Sequence, residues 1–252
     1  MFSNMIKGIK AWKDQGLLRK GPWWKNARMV FADVPVEYDV VKEWVPFPLR
    51  LAKPAMATVF FAHYPECIFG DPYYEVGLML HVRLFGIFPK MLHCSWMLVD
   101  DDLHLINGRE LLGYPKKMAT FQFEEKDGKF FGAAFRRGSE VFRIEGTIGK
   151  PLKNPKPGAG QWWVNLRCLL TLVFPGQLIM FKPIETVHEA NEMNLTVTLT
   201  PSWNDPLCRV TGLATNASIR TCDMAGNLLI PPLVIWLVNP FFQARLMHLR
   251  TR

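Results

Sequence analysis

Disulfide scaffolding, metal coordination, phosphate cradling and helical membrane spans each need a pattern that this chain does not contain. Its five cysteines, Cys67, Cys94, Cys168, Cys208 and Cys222, form no Cys-x-x-Cys pair and no Cys/His pair at ligand spacing. An odd number in 252 residues is not a disulfide framework, so they read as buried or free thiols. The six histidines are scattered without metal-ligand spacing, and no metal is expected. There is no glycine-rich phosphate loop, and neither Ser139 nor Ser218 sits in the Gly-x-Ser-x-Gly setting of a hydrolase nucleophile. No apolar core of signal-peptide type follows the N-terminal lysines, which predicts an intracellular, cytoplasmic protein. The stretch Leu228 to Phe242 is apolar over much of its length but is interrupted by Pro231, Pro232, Asn239 and Pro240. It falls short of the roughly 20 residues of a transmembrane helix and reads as a core or subunit-contact segment.

What is present suits one globular unit. At 49% hydrophobic the chain can bury a sizeable core, and single β barrels or sandwiches of roughly 200 to 250 residues are ordinary. One domain over residues 1–252 is expected. The net charge of +8 raises the question of an anionic partner. Lys and Arg are spread along the whole length instead of being gathered on one element, which argues against nucleic acid. The densest basic stretch places Lys7, Lys10, Lys13, Arg19, Lys20 and Lys25 among Phe2, Ile6, Ile9, Trp12 and Trp23. That pattern suits an amphipathic helix whose basic face is either solvated or laid on an anionic membrane or a partner subunit.

Val34 to Trp44 begins with Pro35, places Glu37 and Asp39 early and carries Val40, Val41 and Trp44 on one helical face, which predicts a short helix. The texture then turns to β at Ala57 to His63, Tyr73 to Arg83 and Leu92 to Val99. Ala119 to Glu125 alternates Phe121 and Phe123 with Gln122 and Glu124, and an Asp127-Gly128 turn leads into Phe130 to Phe135. This predicts a hairpin. Further strands are expected at 141–148, 193–200, 207–213 and 217–223, a loop at 150–160, and a helix or buried strand at 164–174.

The chemistry concentrates in Gly108-Arg-Glu-Leu-Leu-Gly-Tyr-Pro-Lys-Lys117. Lys116 and Lys117 are adjacent and follow a proline. Two ammonium groups held close together disfavour each other's charge, and burial adds desolvation, so such a lysine can be neutral enough to attack a carbonyl. In a strand, the two would instead point to opposite faces. Glu75, Arg28 and Glu110 are further ionisable groups among apolar segments. A carboxylate beside a Schiff-base amine shuttles protons, and a guanidinium holds a carboxylate through paired hydrogen bonds. On the residues alone, a structural ion pair is the better reading of each.

At these residues the sequence resembles the acetoacetate decarboxylase superfamily. The resemblance runs from Gly21-Pro22 through Val45-Pro-Phe-Pro-Leu49 and residues 108–117, and more weakly to 205–223; Gly-Arg-Glu followed by Tyr-Pro-Lys-Lys is its most specific part. It implies an α+β, predominantly antiparallel fold with a closed β-barrel-like core and flanking helices, assembled as a homo-oligomer. It also implies a lyase acting on a keto acid, with no cofactor beyond a covalent lysine imine. By position, Lys116 is similar to the Schiff-base lysine and Lys117 to the neighbour that helps depress its pKa. Glu75 matches an active-site glutamate, and Arg28, seven residues after Gly21, matches the substrate-orienting arginine. Val59, Phe60 and Met97 are expected to line the substrate. The family's second glutamate falls at Val59 or Phe60, so that acid is missing and the cavity is drier. The implied reaction is decarboxylation of a β-keto acid larger and more hydrophobic than acetoacetate. The alternatives are condensation of a keto acid with an aldehyde through the same imine, and non-catalytic binding of hydrophobic acids.

Overall fold

The computed structural model describes residues 21–68, 70–153, 161–168, 175–225, 233–243 and 246. It begins with β1 (Trp24–Pro35), helix α1 (Tyr38–Val41) and a 3-10 turn (Lys42–Trp44). Next come β2 (Leu49–Leu51), β3 (Met56–Tyr64), β4 (Glu66–Cys67), β5 (Tyr73–Leu84) and β6 (Met91–Val99). Helix α2 (Asp102–Leu112) separates β6 from β7 (Lys116–Met118), β8 (Thr120–Lys126), β9 (Lys129–Arg136) and β10 (Ser139–Pro151). The chain continues with β11 (Trp163–Arg167), β12 (Gly176–Phe181), β13 (Ile184–Leu199), β14 (Val210–Leu213), β15 (Thr215–Ala225) and β16 (Leu233–Val238).

These strands form one sheet in the order β16-β12-β11-β6-β5-β3-β1-β15-β13-β10-β9-β8, with β14 on β13, β2 on β5, β4 on β1 and β7 on β6. Most pairs are antiparallel, whereas β6 pairs in parallel with β7 and β11. The expected α+β, mainly antiparallel class is observed, but the expected closure is not. Among the described residues the ladder starts at β16 and ends at β8. Gln122, Glu124 and Lys126 stand exposed on β8, and charged side chains of this kind discourage a further strand from pairing there.

The hairpin forms where the sequence placed it. Asp127 and Gly128 both adopt positive φ, 51° and 70°, as a primed two-residue turn requires. The helix expected over 34–44 starts later because Val34 and Pro35 still pair with Ala57 and Met56 in the β1–β3 ladder. Of 207–213 only the last four residues are strand, and 164–174 opens as the buried strand β11. Residues 169–174 lie outside the described residues, as do 154–160 of the expected loop and residues 1–20 of the basic N-terminal pattern. The apolar stretch at 228–242 contains the edge strand β16.

Successive side chains of a strand leave opposite faces, so the central strands feed two cores. Val30, Val59, Phe61, Val76, Leu78, Trp96 and Leu98 enter the first, on which α1 packs through Val41. Met29, Phe31, Phe60, Tyr64, Tyr73, Met97 and Val99 enter the second, against which α2 lays Leu105 and Leu112. On the first-core face, Asp205 gathers three strands. It is fully buried; Trp96 Nε1 donates to its Oδ1 at 2.9 Å, Lys117 Nζ donates to the same oxygen, and Arg136 Nε lies 2.9 Å from Oδ2. Burial pulls Lys117 below the ordinary lysine value, with Asp205 opposing that shift. Breaking a buried ion pair from one side leaves its partner charge uncompensated, at about 3–5 kcal/mol. Asp205→Ala is therefore expected to lower unfolding free energy by about that amount in urea titrations. A loss no larger than that of a surface mutation would show that the two cations do not depend on Asp205.

Candidate active site

The segment 108–117 folds as a helix end, a tight reversal and a short strand. Asp101 caps α2 by accepting the His104 backbone N–H at 2.8 Å. The helix stops at Gly113, whose φ of 68° is left-handed. A Cβ there would come within 2.7 Å of the Arg167 backbone nitrogen, so glycine is required on both counts. Pro115 then holds the chain extended into β7, and Arg109 Nη1 reaches the Lys116 carbonyl at 3.4 Å. In the parallel ladder Lys116 lies beside Met97 and Lys117 beside Leu98.

That register buries Lys116 on the second-core face, where its Nζ donates to Glu75 Oε1. The same ammonium lies 5.7 Å from the centre of the Tyr114 ring. Gly108 of α2 abuts it so closely that a Cβ at that position would be 2.6 Å from Lys116 Cε. Across the sheet, Met97, Gly77 and Phe60 follow Lys116 in one row. The Phe60 ring occupies the space a Gly77 side chain would need, since a Cβ there would be 2.4 Å from it. Tyr64, Tyr73 and Tyr114 are buried around Glu75, and burial raises all three phenols well above their usual range. The pair therefore sits between apolar and neutral polar walls.

His104 completes this wall and was not singled out from the sequence. It lies one turn before Gly108, on the same side of α2, and its ring stacks on Tyr73 with centroids 3.7 Å apart. Its Nδ1 is 2.6 Å from Asp101 Oδ1 and its Nε2 is 3.3 Å from Cys67 Sγ. Burial lowers its pKa; the Asp101 hydrogen bond opposes this, and the neighbouring Lys116 adds to it. The i, i+4 relation to Gly108 would have revealed it, but Asn107 and Gly108 hid the helix that creates that relation.

The expected constellation is only partly assembled. Glu75, Phe60 and Met97 share the Lys116 face, while Val59 enters the first core. Lys117 points to Asp205 on the opposite face, so it does not stand beside the Lys116 ammonium. Arg28 likewise leaves β1 on the side opposite Ala27, Met29 and Phe31. Its guanidinium binds Glu125 at 2.9 Å, Glu189 at 2.8 Å and Thr221 at 2.9 Å. The substrate-orienting placement expected for it is not observed, because strand alternation carries it away from Lys116. Among the described strands, β15 brings a guanidinium to the Lys116 face, that of Arg220, 4.9 Å from the Phe31 ring and 3.7 Å from Glu185. Glu110 is exposed, and its backbone carbonyl accepts from Arg167 Nη1 at 3.2 Å.

Comparison with known proteins agrees with this architecture. Residues 10–219 match the family model for acetoacetate decarboxylase (ADC). Over 101 residues the chain is 31% identical to acetoacetate decarboxylase 1 of Mesorhizobium japonicum, a match that spans 40% of this chain and 40% of that enzyme's length. The crystal structure of acetoacetate decarboxylase from Legionella pneumophila superposes with a TM-score of 0.75 at 17% identity, covering 86% of this chain and 88% of that one. The enduracididine biosynthesis enzyme MppR, complexed with pyruvate, superposes with a TM-score of 0.61 at 18% identity, covering 85% and 93%. At such identities the two structures speak for the fold.

Two outcomes follow for the wall around Lys116. Alanine is a better helix former than glycine by roughly 1 kcal/mol, yet Gly108→Ala is expected to destabilise by about 1–3 kcal/mol because the new methyl must push Lys116 off Glu75. Thermal unfolding of the two proteins decides which effect wins. For His104, a folded-state pKa below its ordinary value of 6.5 means that the unfolded chain takes up the proton first. Its contribution is thus complete above about pH 6.5 and is lost as pH falls toward the folded value. His104→Gln should flatten stability between pH 7 and 5 relative to the parent in urea titrations, and parallel curves would contradict this.

Proposed function

On the premise that the chain belongs to the acetoacetate decarboxylase family, we propose that it is a lyase that binds a keto acid as a Schiff base on Lys116 and decarboxylates a β-keto acid more hydrophobic than acetoacetate. The observation that carries this reading is the buried Lys116–Glu75 pair set in an apolar wall. Glu75 takes the proton that the amine must lose. Nζ then attacks the ketone carbon, the carbonyl oxygen takes up protons and leaves as water, and a protonated imine remains. The bond to the carboxylate breaks and its electron pair moves through the adjacent carbon to the imine nitrogen, so that carbon dioxide leaves and an enamine forms. Protonation of the enamine carbon and attack by water return the ketone and the free amine. Desolvation favours these steps because charge is lost from the carboxylate and neutralised at nitrogen, and the fixed wall holds the reacting atoms in place.

Phe60 supports the more hydrophobic substrate, since it stands on this face at one of the two positions that match the family's second glutamate. The same replacement favours a second reading, in which the enamine attacks an aldehyde and the product is a condensed enone.

Borohydride added with a panel of keto acids should leave a reduced adduct, found by mass spectrometry on the peptide containing Lys116. Carbon dioxide release against enone absorbance then separates decarboxylation from condensation. Lys116→Ala is expected to abolish turnover, and Glu75→Gln to slow it by about 10²- to 10⁴-fold. Full turnover by the Lys116→Ala protein would defeat the covalent mechanism, and no adduct with any acid would leave a binding protein.

A further inference from the structure

Phe47, Phe85 and Trp236 are 52%, 45% and 40% exposed, yet they pack on one another. Ring centroids are 6.2 Å apart for Phe47–Phe85, 5.9 Å for Phe47–Trp236 and 5.8 Å for Phe85–Trp236. They come from three separate places: the segment before β2, the turn between β5 and β6, and the edge strand β16. The turn is a built feature. Phe85 and Gly86 have φ of 51° and 79°, and Arg83 Nη1 donates to the Phe88 carbonyl at 2.9 Å. It holds Ile87, 80% exposed, and Phe88 clear of the sheet. A soluble surface rarely gathers large apolar side chains in this way without an interaction to make.

The charge around the patch selects the occupant. Segments 45–54, 83–91 and 233–243 contain Arg50, Lys53, Arg83 and Lys90 and no Asp or Glu. Arg50 lies 5.5 Å from the Phe47 ring, so cation and apolar surface share one place. A two-fold contact with a second copy would set the patch against itself and bring these cations toward their own duplicates. Anionic headgroups instead offset them, while the aromatic and aliphatic side chains enter the headgroup–acyl boundary. Among the described residues no helix is long and apolar enough to cross a bilayer, and the contact argued from this patch is one of surface docking. We propose that this aromatic–basic tip docks the protein on an anionic lipid bilayer.

The test uses the full 252-residue chain and co-sedimentation with vesicles of one part phosphatidylglycerol to two parts phosphatidylcholine, beside vesicles of phosphatidylcholine alone. Binding is expected to the anionic vesicles only and to weaken as salt is raised. Ile87→Asp should weaken it about tenfold or more, and the double variant Arg50→Glu, Lys90→Glu by about fivefold for each cation removed. All three positions are exposed, so circular dichroism should match the parent, and turnover in vesicle-free solution should be unchanged. Unaltered binding by Ile87→Asp would place any lipid contact elsewhere, for instance in residues 1–20, and overturn the proposal. So would absent vesicle binding together with a fall in mass by light scattering in Ile87→Asp, which would identify the patch as a contact between copies.

Discussion

Neighbouring residues of a strand cannot share a face, and in β7 that constraint falls on two lysines. The strand is only three residues long, so its direction is set from outside: by the left-handed glycine at 113, by Pro115, and by the parallel register that sets Lys116 beside Met97. A slip of one residue would exchange the two amines. As built, one amine meets Glu75 and the other meets Asp205, and each core receives a buried cation with its own carboxylate. The two ion pairs then have different consequences. Asp205 is shared with Arg136 and Trp96 and binds a loop to three strands, whereas Glu75 has Lys116 before it and aromatic rings around it.

The same alternation sorts the rest of the site. Residues 28, 59 and 117 are odd or even in different strands, yet all three turn to the first core or to its rim, and residues 60, 75, 97 and 116 turn to the second. Sequence position relative to a family motif therefore locates a strand without fixing which of its faces a side chain takes. Arg28 illustrates the point: burial alone would disfavour its charge, but Glu125 and Glu189 outweigh that and raise its pKa, which is the environment of a structural cation held in place by two carboxylates.

Patterns of period two made the hairpin at 120–136 and the long strands legible, because each has one face in a core and turn residues at its ends. β1 was missed because the consecutive polar residues Lys25 and Asn26 and the unbroken apolar run Met29-Val-Phe-Ala32 interrupt the alternation that marks a strand. Helix α2 was missed because Asn107 and Gly108 are weak helix formers, and Gly108 is there for the sake of Lys116 rather than for the helix. Local propensity was overridden by a tertiary contact, and His104 was lost from view with it. The Lys116–Glu75 pairing, joined across 41 positions, has no local signature and was reachable only through resemblance.

The missing second carboxylate can now be placed more narrowly than the sequence allowed. Of the two positions that match it, Val59 lies in the first core, where a carboxylate would face the opposite side of the sheet from Lys116. Phe60 faces the Lys116 side and fills the gap left by Gly77. The substitution that matters for chemistry is therefore an aromatic ring in a site otherwise matched to an acid, and it is sterically interlocked with the absence of a side chain at 77. Restoring an acid at 60 would empty part of that space and bury a second charge on the same face as Glu75, two costs that act together. In the proposed mechanism, proton traffic then falls to Glu75, with His104, whose pKa burial lowers, on the adjoining face of α2. In that proposal the apolar wall suits substrates whose own side chains supply the contacts that a carboxylate would have made.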